Sequence, residues 1–390
     1  MNFDFGPSSL AYKEEARAFL ARELTPERAE EMERTGVSYN PDFHRALSEQ
    51  GWLAPGWPVE YGGRGLDPMD VVAFQEELAE AGAPTYAAAT TMMTAGVIRE
   101  VGTEQQKAEI LPRALGGEII IVLGFTEPGC GSDVAAAATR AVRVKGEGEV
   151  GAAEWVINGH KMFTTNAHVA DYIFLLARTD PDVPKHKGLT TFLVPMRQAG
   201  ITIQPIRTIS GERTNATFYD DVRVSDAWRI GGENRGWDTM GVALTLERTN
   251  SFGGDHRRIV AAAERWAAEG LAADGRPLIE DDTVRARLAR AATETRVARL
   301  LGLRSVWVYA NGGLPGVEGS MAKLFASESL VRLTDDLALM APDGLRTGDP
   351  GHADVEQGIR RAQATTIYGG TSEVQRSIIA QRALGLPRSS

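Results

Sequence analysis

One cysteine, Cys130, occurs in 390 residues. A lone thiol closes no intrachain disulfide and builds no thiolate metal centre, so the sequence reads as a reducing-compartment protein without a metal site. Long apolar stretches are missing too. A run such as Ile119 to Leu123 falls far short of the roughly 20 residues that cross a bilayer. Met1 to Leu10 has neither the basic residues nor the apolar core of a leader. These absences point to a soluble, cytoplasmic protein with no membrane partner. Basic charge is scarce as well: 42 Lys and Arg face 52 Asp and Glu, a net charge of -10. Nucleic acids and anionic lipids select clustered cations, so neither is an expected partner. No internal repeat and no Gly-Lys-Ser/Thr phosphate loop are present.

What is there has the balance of a folded chain, 43% hydrophobic and 24% charged, long enough for two or three domains with their own cores. Leu10, Ala16, Phe19 and Leu20 recur at helical spacing, Thr25-Pro26-Glu27 reads as a cap with proline in the first turn, and Val71, Val72, Phe74 and Leu78 form a stripe after Asp70. Residues 1–120 are therefore expected as an N-terminal helical domain, interrupted by an ordered loop from Gly51 to Gly65. Over 121–235 the period shortens. Trp155 to Gly159 ends in an Asn158-Gly159 hairpin signal, Tyr172 to Leu176 reads as a buried strand, Thr191 to Val194 as another, and Ile201 to Ile203 as a strand broken by Pro205. This predicts an antiparallel barrel or sandwich. The helical period returns over 236–390, most clearly in Val284 to Tyr309 with Leu288, Ala292, Thr295, Arg299 and Leu303 on one stripe, and a loop spans Pro342 to Asp354. The predicted class is α+β, in the order helical, β, helical.

Chemistry concentrates in three segments. In Phe125-Thr126-Glu127-Pro128-Gly129-Cys130-Gly131-Ser132-Asp133, two glycines around a small residue let backbone amides approach a planar or anionic ligand, with Thr126, Ser132 and Asp133 adding polar groups. An ordinary Gly-rich turn has the same composition. In Asn158 to Ala167, Phe163 could stack a ring system while Thr165 bonds its edge; a hairpin packed on the core reads equally well. In Ile367 to Arg376, Gly369-Gly370 enters a helix capped by Thr371 or Ser372, whose free amides suit a phosphate or sugar, or simply a capped helix.

In this order and at these distances the three segments resemble the acyl-CoA dehydrogenase family, over essentially the whole chain. The resemblance implies the acyl-CoA dehydrogenase fold, with a helical N-terminal domain, a β-barrel or sandwich middle domain and a C-terminal helical bundle, and FAD as cofactor. It implies Phe125 and Thr126 at the flavin pyrimidine edge, Gly131 and Ser132 toward the cofactor phosphates, Phe163 and Thr165 at the flavin ring, and Thr371 and Glu373 on the dinucleotide. Phe163 stands where most members carry Trp, which keeps an aromatic wall of smaller area.

The implied reaction is α,β-desaturation of an acyl-CoA thioester, in which a carboxylate removes the α-proton as the β-hydrogen leaves as hydride. Many members place that glutamate directly before Gly-Thr-Ser; here Gly369 stands there and holds no proton. Glu247, in Leu244 to Arg248, matches the alternative base position of the isovaleryl- and long-chain-type members, with a plain surface pair to Arg248 as the other reading. The resemblance also places Arg248 near the CoA and Tyr368 in the acyl pocket. Gly369 leaves room beside the α-carbon for a branched or bulky acyl group such as a steroid side chain.

Homotetrameric members lend each FAD a neighbour's Arg-x-x-Phe-Gly loop and Gln-x-x-Gly-Gly turn. Residues 270–275 here have neither the Arg nor the Phe, and Ala338 and Ala341-Pro342 replace the Gln and the two glycines. The chain is thus similar to the catalytic subunit of actinobacterial α2β2 steroid-type dehydrogenases. That implies a paralogous subunit in a heterotetramer, with drift in a homotetramer as the alternative, and an electron-transfer flavoprotein as electron acceptor. An acyl-CoA oxidase using oxygen and a non-catalytic scaffold subunit remain open beside the dehydrogenase.

Overall fold

Six helices open the chain: α1 (Pro7–Glu23), α2 (Pro26–Thr35), α3 (Pro41–Glu49), α4 (Pro68–Glu80), α5 (Tyr86–Val101) and α6 (Glu104–Leu115). The computed structural model describes residues 4–144, 153–247, 253–272, 274–313, 316–340 and 353–387. Helices α2, α3 and α4 each begin with proline behind Thr25, Asn40 or Asp67, whose side chains accept a first-turn amide. Asp67, not Asp70, is therefore the start signal of α4. The Gly51 to Gly65 segment forms the expected ordered loop, with one short 3-10 turn at Val59–Tyr61.

Eight strands follow: β1 (Ile121–Gly124), β2 (Arg140–Val144), β3 (Glu154–Lys161), β4 (Tyr172–Arg178), β5 (Leu189–Pro195), β6 (Ile201–Arg207), β7 (Arg213–Ser225) and β8 (Arg229–Ile230). They make one sheet in the order β6-β7-β3-β2-β4-β5-β8, with β1 also paired to β4. The sheet is mixed rather than antiparallel throughout, because β1 and β2 both run parallel to β4. Trp155, Ile157, Phe192, Val194 and Val222 belong to one buried cluster that closes its core.

Two local expectations fail for identifiable reasons. Asn158-Gly159 does not turn the chain. It lies inside β3 at a register shift opposite β7, where Gly159 has φ 145° and a Cβ would fall 2.7 Å from Thr139 Cα. The Asn158 side chain instead exchanges two 2.9 Å hydrogen bonds with Asp221. Pro205 does not end β6 either, because β6 is an edge strand and paired with β7 only.

The second half adds α7 (Gly236–Glu247), α8 (Gly254–Glu269), α9 (Asp282–Ala310), α10 (Val317–Ala338), α11 (Ala353–Thr365) and α12 (Ser372–Arg382). On α9 the buried stripe runs through Val284, Leu288, Ala291, Thr295, Ala298 and Leu303, so Ala291 and Ala298 take the places expected for Ala292 and Arg299. Of the loop expected over Pro342 to Asp354, residues 342–352 lie outside the described residues, and Ala353 and Asp354 already belong to α11.

Packing divides the chain into two units. The helical unit joins Met1–Arg22, Asp67–Ala83 and Arg248–Ser390; the sheet-bearing unit joins Glu23–Leu66 and Pro84–Glu247. Within the helical unit, Glu76 of α4 meets Lys13 of α1 at 3.2 Å, Arg299 of α9 at 2.6 Å and Arg257 of α8 at 3.7 Å. One buried carboxylate thus gathers three cations from three helices. No helix among the described residues is long and apolar enough to cross a membrane.

Candidate active site

In the sheet-bearing unit, two connections carry half of the predicted site residues: the loop leaving β1 and the link from β3 to β4. Thr91 of α5 fixes β1 by accepting the Ile121 amide at 2.9 Å, and Asp171 accepts the Ile120 amide at 2.9 Å. The loop after β1 then closes on itself, because Glu127 and Cys130 exchange backbone hydrogen bonds of 2.9 and 3.1 Å. Met162 N–H donates to the Thr126 carbonyl at 2.9 Å, which sets the two connections side by side.

A buried ion pair locks them together. Lys161 Nζ lies 2.7 Å from Glu127 and donates to the Phe125 carbonyl at 3.3 Å, with no exposed side-chain surface of its own. The same carboxylate accepts the amides of Ala138 at 2.7 Å and Thr139 at 3.0 Å. Burial alone would raise the Glu127 carboxyl, but the Lys161 charge and these donors hold it below the usual range. Complete burial pushes the Lys161 ammonium down against the pull of Glu127. Sequence reasoning passed over this pair, although Lys161 continues the buried parity of Trp155 and Ile157 along β3.

The residues on this frame are presented outward. Phe125 is half-buried and edges onto Phe174 at 5.7 Å, while Gly131 and Ser132 are exposed. A Cβ at Gly129 or Gly131 would meet nothing within 4 Å, so the loop leaves an open berth. Phe163 adopts φ 58° and is 59% exposed, an uncommon conformation for a bulky residue and an uncommon exposure for an aromatic ring. It is held there because Thr164 N–H donates to the Asn215 carbonyl at 2.8 Å and Thr165 N–H to the Phe163 carbonyl at 3.0 Å. Thr165 Oγ1 pairs with Thr214 Oγ1 at 3.1 Å. Just behind them Asn166 is fully buried, and neither polar atom of its amide has a hydrogen-bond partner among the described residues. An outward aromatic face, a neighbouring hydroxyl and an open glycine berth fit a large planar cofactor with a phosphate tail, which is the shape of FAD.

The third segment lies in the helical unit. Gly369 and Gly370 have φ 63° and 86°, both left-handed, and lead into α12. Thr371, not Ser372, is the cap, its hydroxyl accepting the Val374 amide at 3.3 Å. Its own backbone amide and the Thr371 hydroxyl hold the exposed Glu373 carboxyl below its usual range, with Arg376 and Lys323 adding to the effect. Tyr368 is 63% exposed.

The remaining predicted residues are placed less fully. Glu247 lies on α7, with only its backbone described, and Arg248 lies outside the described residues. Of the two altered donor segments, 270–275 forms a turn closed from Ala272 N to the Arg276 carbonyl at 2.8 Å, with residue 273 outside the described residues. Leu271 and Leu339 in these segments are 66% and 57% exposed, and Ala341 and Pro342 lie outside the described residues. Among the described residues no group of three His, Cys, Asp or Glu could hold a metal ion.

Comparison with known proteins covers the whole chain. The N-terminal domain of acyl-CoA dehydrogenase matches residues 7–118, the middle domain residues 122–222 and the C-terminal domain residues 234–384. Acyl-CoA dehydrogenase FadE26 of Mycobacterium tuberculosis is 35% identical over 418 residues, spanning 100% of both chains. Among solved structures, the ChsE4-ChsE5 complex from Mycobacterium tuberculosis aligns with TM-score 0.88 at 34% identity, covering 100% of both chains. The Tcur3481-Tcur3483 steroid ACAD aligns with TM-score 0.87 at 33% identity, again covering 100% of both. Neither the oxidase nor the scaffold reading is favoured by these relatives. The chain belongs to the acyl-CoA dehydrogenase family, FAD-dependent oxidoreductases that act on the CH-CH bond of acyl-CoA thioesters.

Proposed function

We propose that this chain is the catalytic subunit of a heteromeric dehydrogenase for branched or bulky acyl-CoA, a steroid side chain among them, with Glu247 as the α-proton base. The observation that carries the proposal is Gly369. The position directly before Gly370-Thr371-Ser372 has no carboxylate, and its φ of 63° would strain any side chain placed there. The base must then come from elsewhere, and Glu247 on α7 matches the family's second base position.

In this reading the three domains span 1–120, 121–235 and 236–390, and the protein works in the cytoplasm. Phe163 gives the flavin ring a wall and Thr165 a hydroxyl for its reactive edge. Phe125 and Thr126 border the pyrimidine side, Gly131 and Ser132 the phosphates, and Thr371 and Glu373 the rest of the dinucleotide. FAD held there would supply the acceptor for the β-hydrogen, with an electron-transfer flavoprotein as the proposed electron acceptor. The Glu247 carboxylate takes the α-proton, Arg248 holds the CoA, and Tyr368 and Gly369 bound the acyl group.

The paralogous partner is supported by the altered 270–275 and 338–342 segments and by the two-component relatives ChsE4-ChsE5 and Tcur3481-Tcur3483. A panel of straight-chain, branched and steroid acyl-CoAs, assayed with an artificial electron acceptor, tests the substrate class. Branched or steroid thioesters are expected to lead in kcat/KM; a clear preference for straight chains would overturn that class. Expressed alone, the chain is expected to be flavin-poor. A stable homotetramer with one FAD per subunit and full activity would overturn the heteromer.

A further inference from the structure

We infer that Lys323 is the positioning residue of the Gly369-Gly370 turn, holding from α10 the segment that presents Thr371 and Glu373 to FAD. The inference rests on the cofactor-binding reading of that segment given above. Two consecutive glycines with φ 63° and 86° are the most freely moving pair a backbone can offer, and ordering them costs more entropy than any other pair. Among the described residues no backbone amide takes the carbonyl of either glycine; side chains do so instead. Lys323 Nζ donates to the Gly370 carbonyl at 2.6 Å. Gln375 Nε2, reaching back from α12, donates to the Gly369 carbonyl at 3.0 Å and lies 3.5 Å from that of Gly370.

These two donors are unequal. Gln375 is part of the helix that the turn introduces, so it moves with the turn and cannot anchor it to the bundle. Lys323 belongs to a different helix, α10, and so ties the Gly370 carbonyl to the bundle from outside the segment. Its bond is charge-assisted, the stronger kind. Its charge also adds, as the smallest of several causes, to holding the Glu373 carboxyl below its usual range. A Cβ on Gly370 would stand 2.6 Å from Gln375 Nε2, so the clasp and the glycine are matched to each other.

The test compares Lys323→Met, which keeps the stem and removes the charge and donors, with Lys323→Arg and the milder Lys323→Gln, all in the purified holoprotein. Hydrogen exchange over residues 367–372, the dissociation constant for FAD and the urea midpoint are measured for each. Lys323→Met is expected to speed exchange in that segment and to weaken FAD about tenfold, with Lys323→Arg restoring most of the loss and the urea midpoint nearly unchanged. Unaltered exchange in both Lys323→Met and Lys323→Gln would overturn the positioning role. Faster exchange with unchanged FAD affinity would overturn the assignment of Thr371 and Glu373 to the cofactor, and the inference with it. Should Lys323→Met fail to fold, Lys323→Gln carries the same three readouts.

Discussion

Glu76 in the helical unit and Glu127 in the sheet-bearing unit are both buried carboxylates, 2% and 8% exposed, yet they are compensated in opposite ways. Glu76 is shared by Lys13, Arg257 and Arg299, whose side chains keep 14%, 20% and 14% of their surface in water. Glu127 has one cation, Lys161, which keeps none, and two backbone amides. The first arrangement tolerates loss of a partner because two remain and water can reach the gap. The second does not, since removing Lys161 leaves a buried carboxylate with amides alone. The redundant network ties helices together, whereas the single pair fixes the two connections that carry Phe125, Thr126, Phe163 and Thr165.

Breaking each assembly at one cation measures the difference. Lys161→Met is expected to cost about 3 to 5 kcal/mol in urea unfolding, the range for an unpaired buried charge. Lys13→Met should cost about 1 kcal/mol or less, as for a partly solvated pair. Adding Glu127→Gln to Lys161→Met should recover part of the loss, because no buried charge is then left over. Equal costs for the two lysines would remove the distinction between the regions.

A second contrast uses pH. His256 in the helical unit and His44 in the sheet-bearing unit are both pushed down to about 4 by burial. Because the unfolded state binds the proton more readily, their contribution to stability is complete above the unfolded value near 6.5 and is lost as pH falls toward 4. A shift of that size is worth about 3 kcal/mol for each histidine. His256 Nε2 is paired with Ser329 at 2.9 Å, while His44 Nε2 has no partner among the described residues. Urea unfolding at pH 7.5 and pH 5 should therefore show a loss that shrinks in both His256→Gln and His44→Gln. A wild-type stability flat over this range would contradict the burial of both rings.

How far the sequence carried the account follows the same division between local and distant pairing. Helix starts were legible where a capping side chain and a proline sit together, as at Thr25-Pro26, because both act on the nearest turn. The reach of β3 was not, since the bulge at Gly159 is set by β7, more than 50 residues away in the chain and invisible to a local window, and that of β6 was not, since its edge position depends on the order of the whole sheet. In the candidate site, Phe163, Gly131 and Ser132 were singled out by the sequence, and the structure leaves all three exposed. Glu127, Lys161 and Lys323 were not singled out, because a buried ion pair and a lysine on a carbonyl are defined by partners from other elements.

The smallest effect concerns the ring itself. Since Phe163 is 59% exposed, Phe163→Ala should leave the stability of the FAD-free protein within about 0.5 kcal/mol. It should weaken FAD by about 0.5 to 1.5 kcal/mol through lost stacking, with Phe163→Trp tolerated. Unchanged FAD affinity and an unchanged flavin spectrum in Phe163→Ala would place the ring away from the cofactor.

The central claim is that Glu247 serves where Gly369 cannot, and single-turnover reduction of the flavin under anaerobic conditions addresses it directly. Glu247→Gln keeps the size of the side chain and loses the base, so the yellow, folded protein is expected to bind acyl-CoA while its flavin reduction slows by about three orders of magnitude or more, roughly 4 kcal/mol of barrier. Retention of more than about a tenth of the wild-type rate, a barrier change of roughly 1.4 kcal/mol, would contradict the assignment and move the base to another residue.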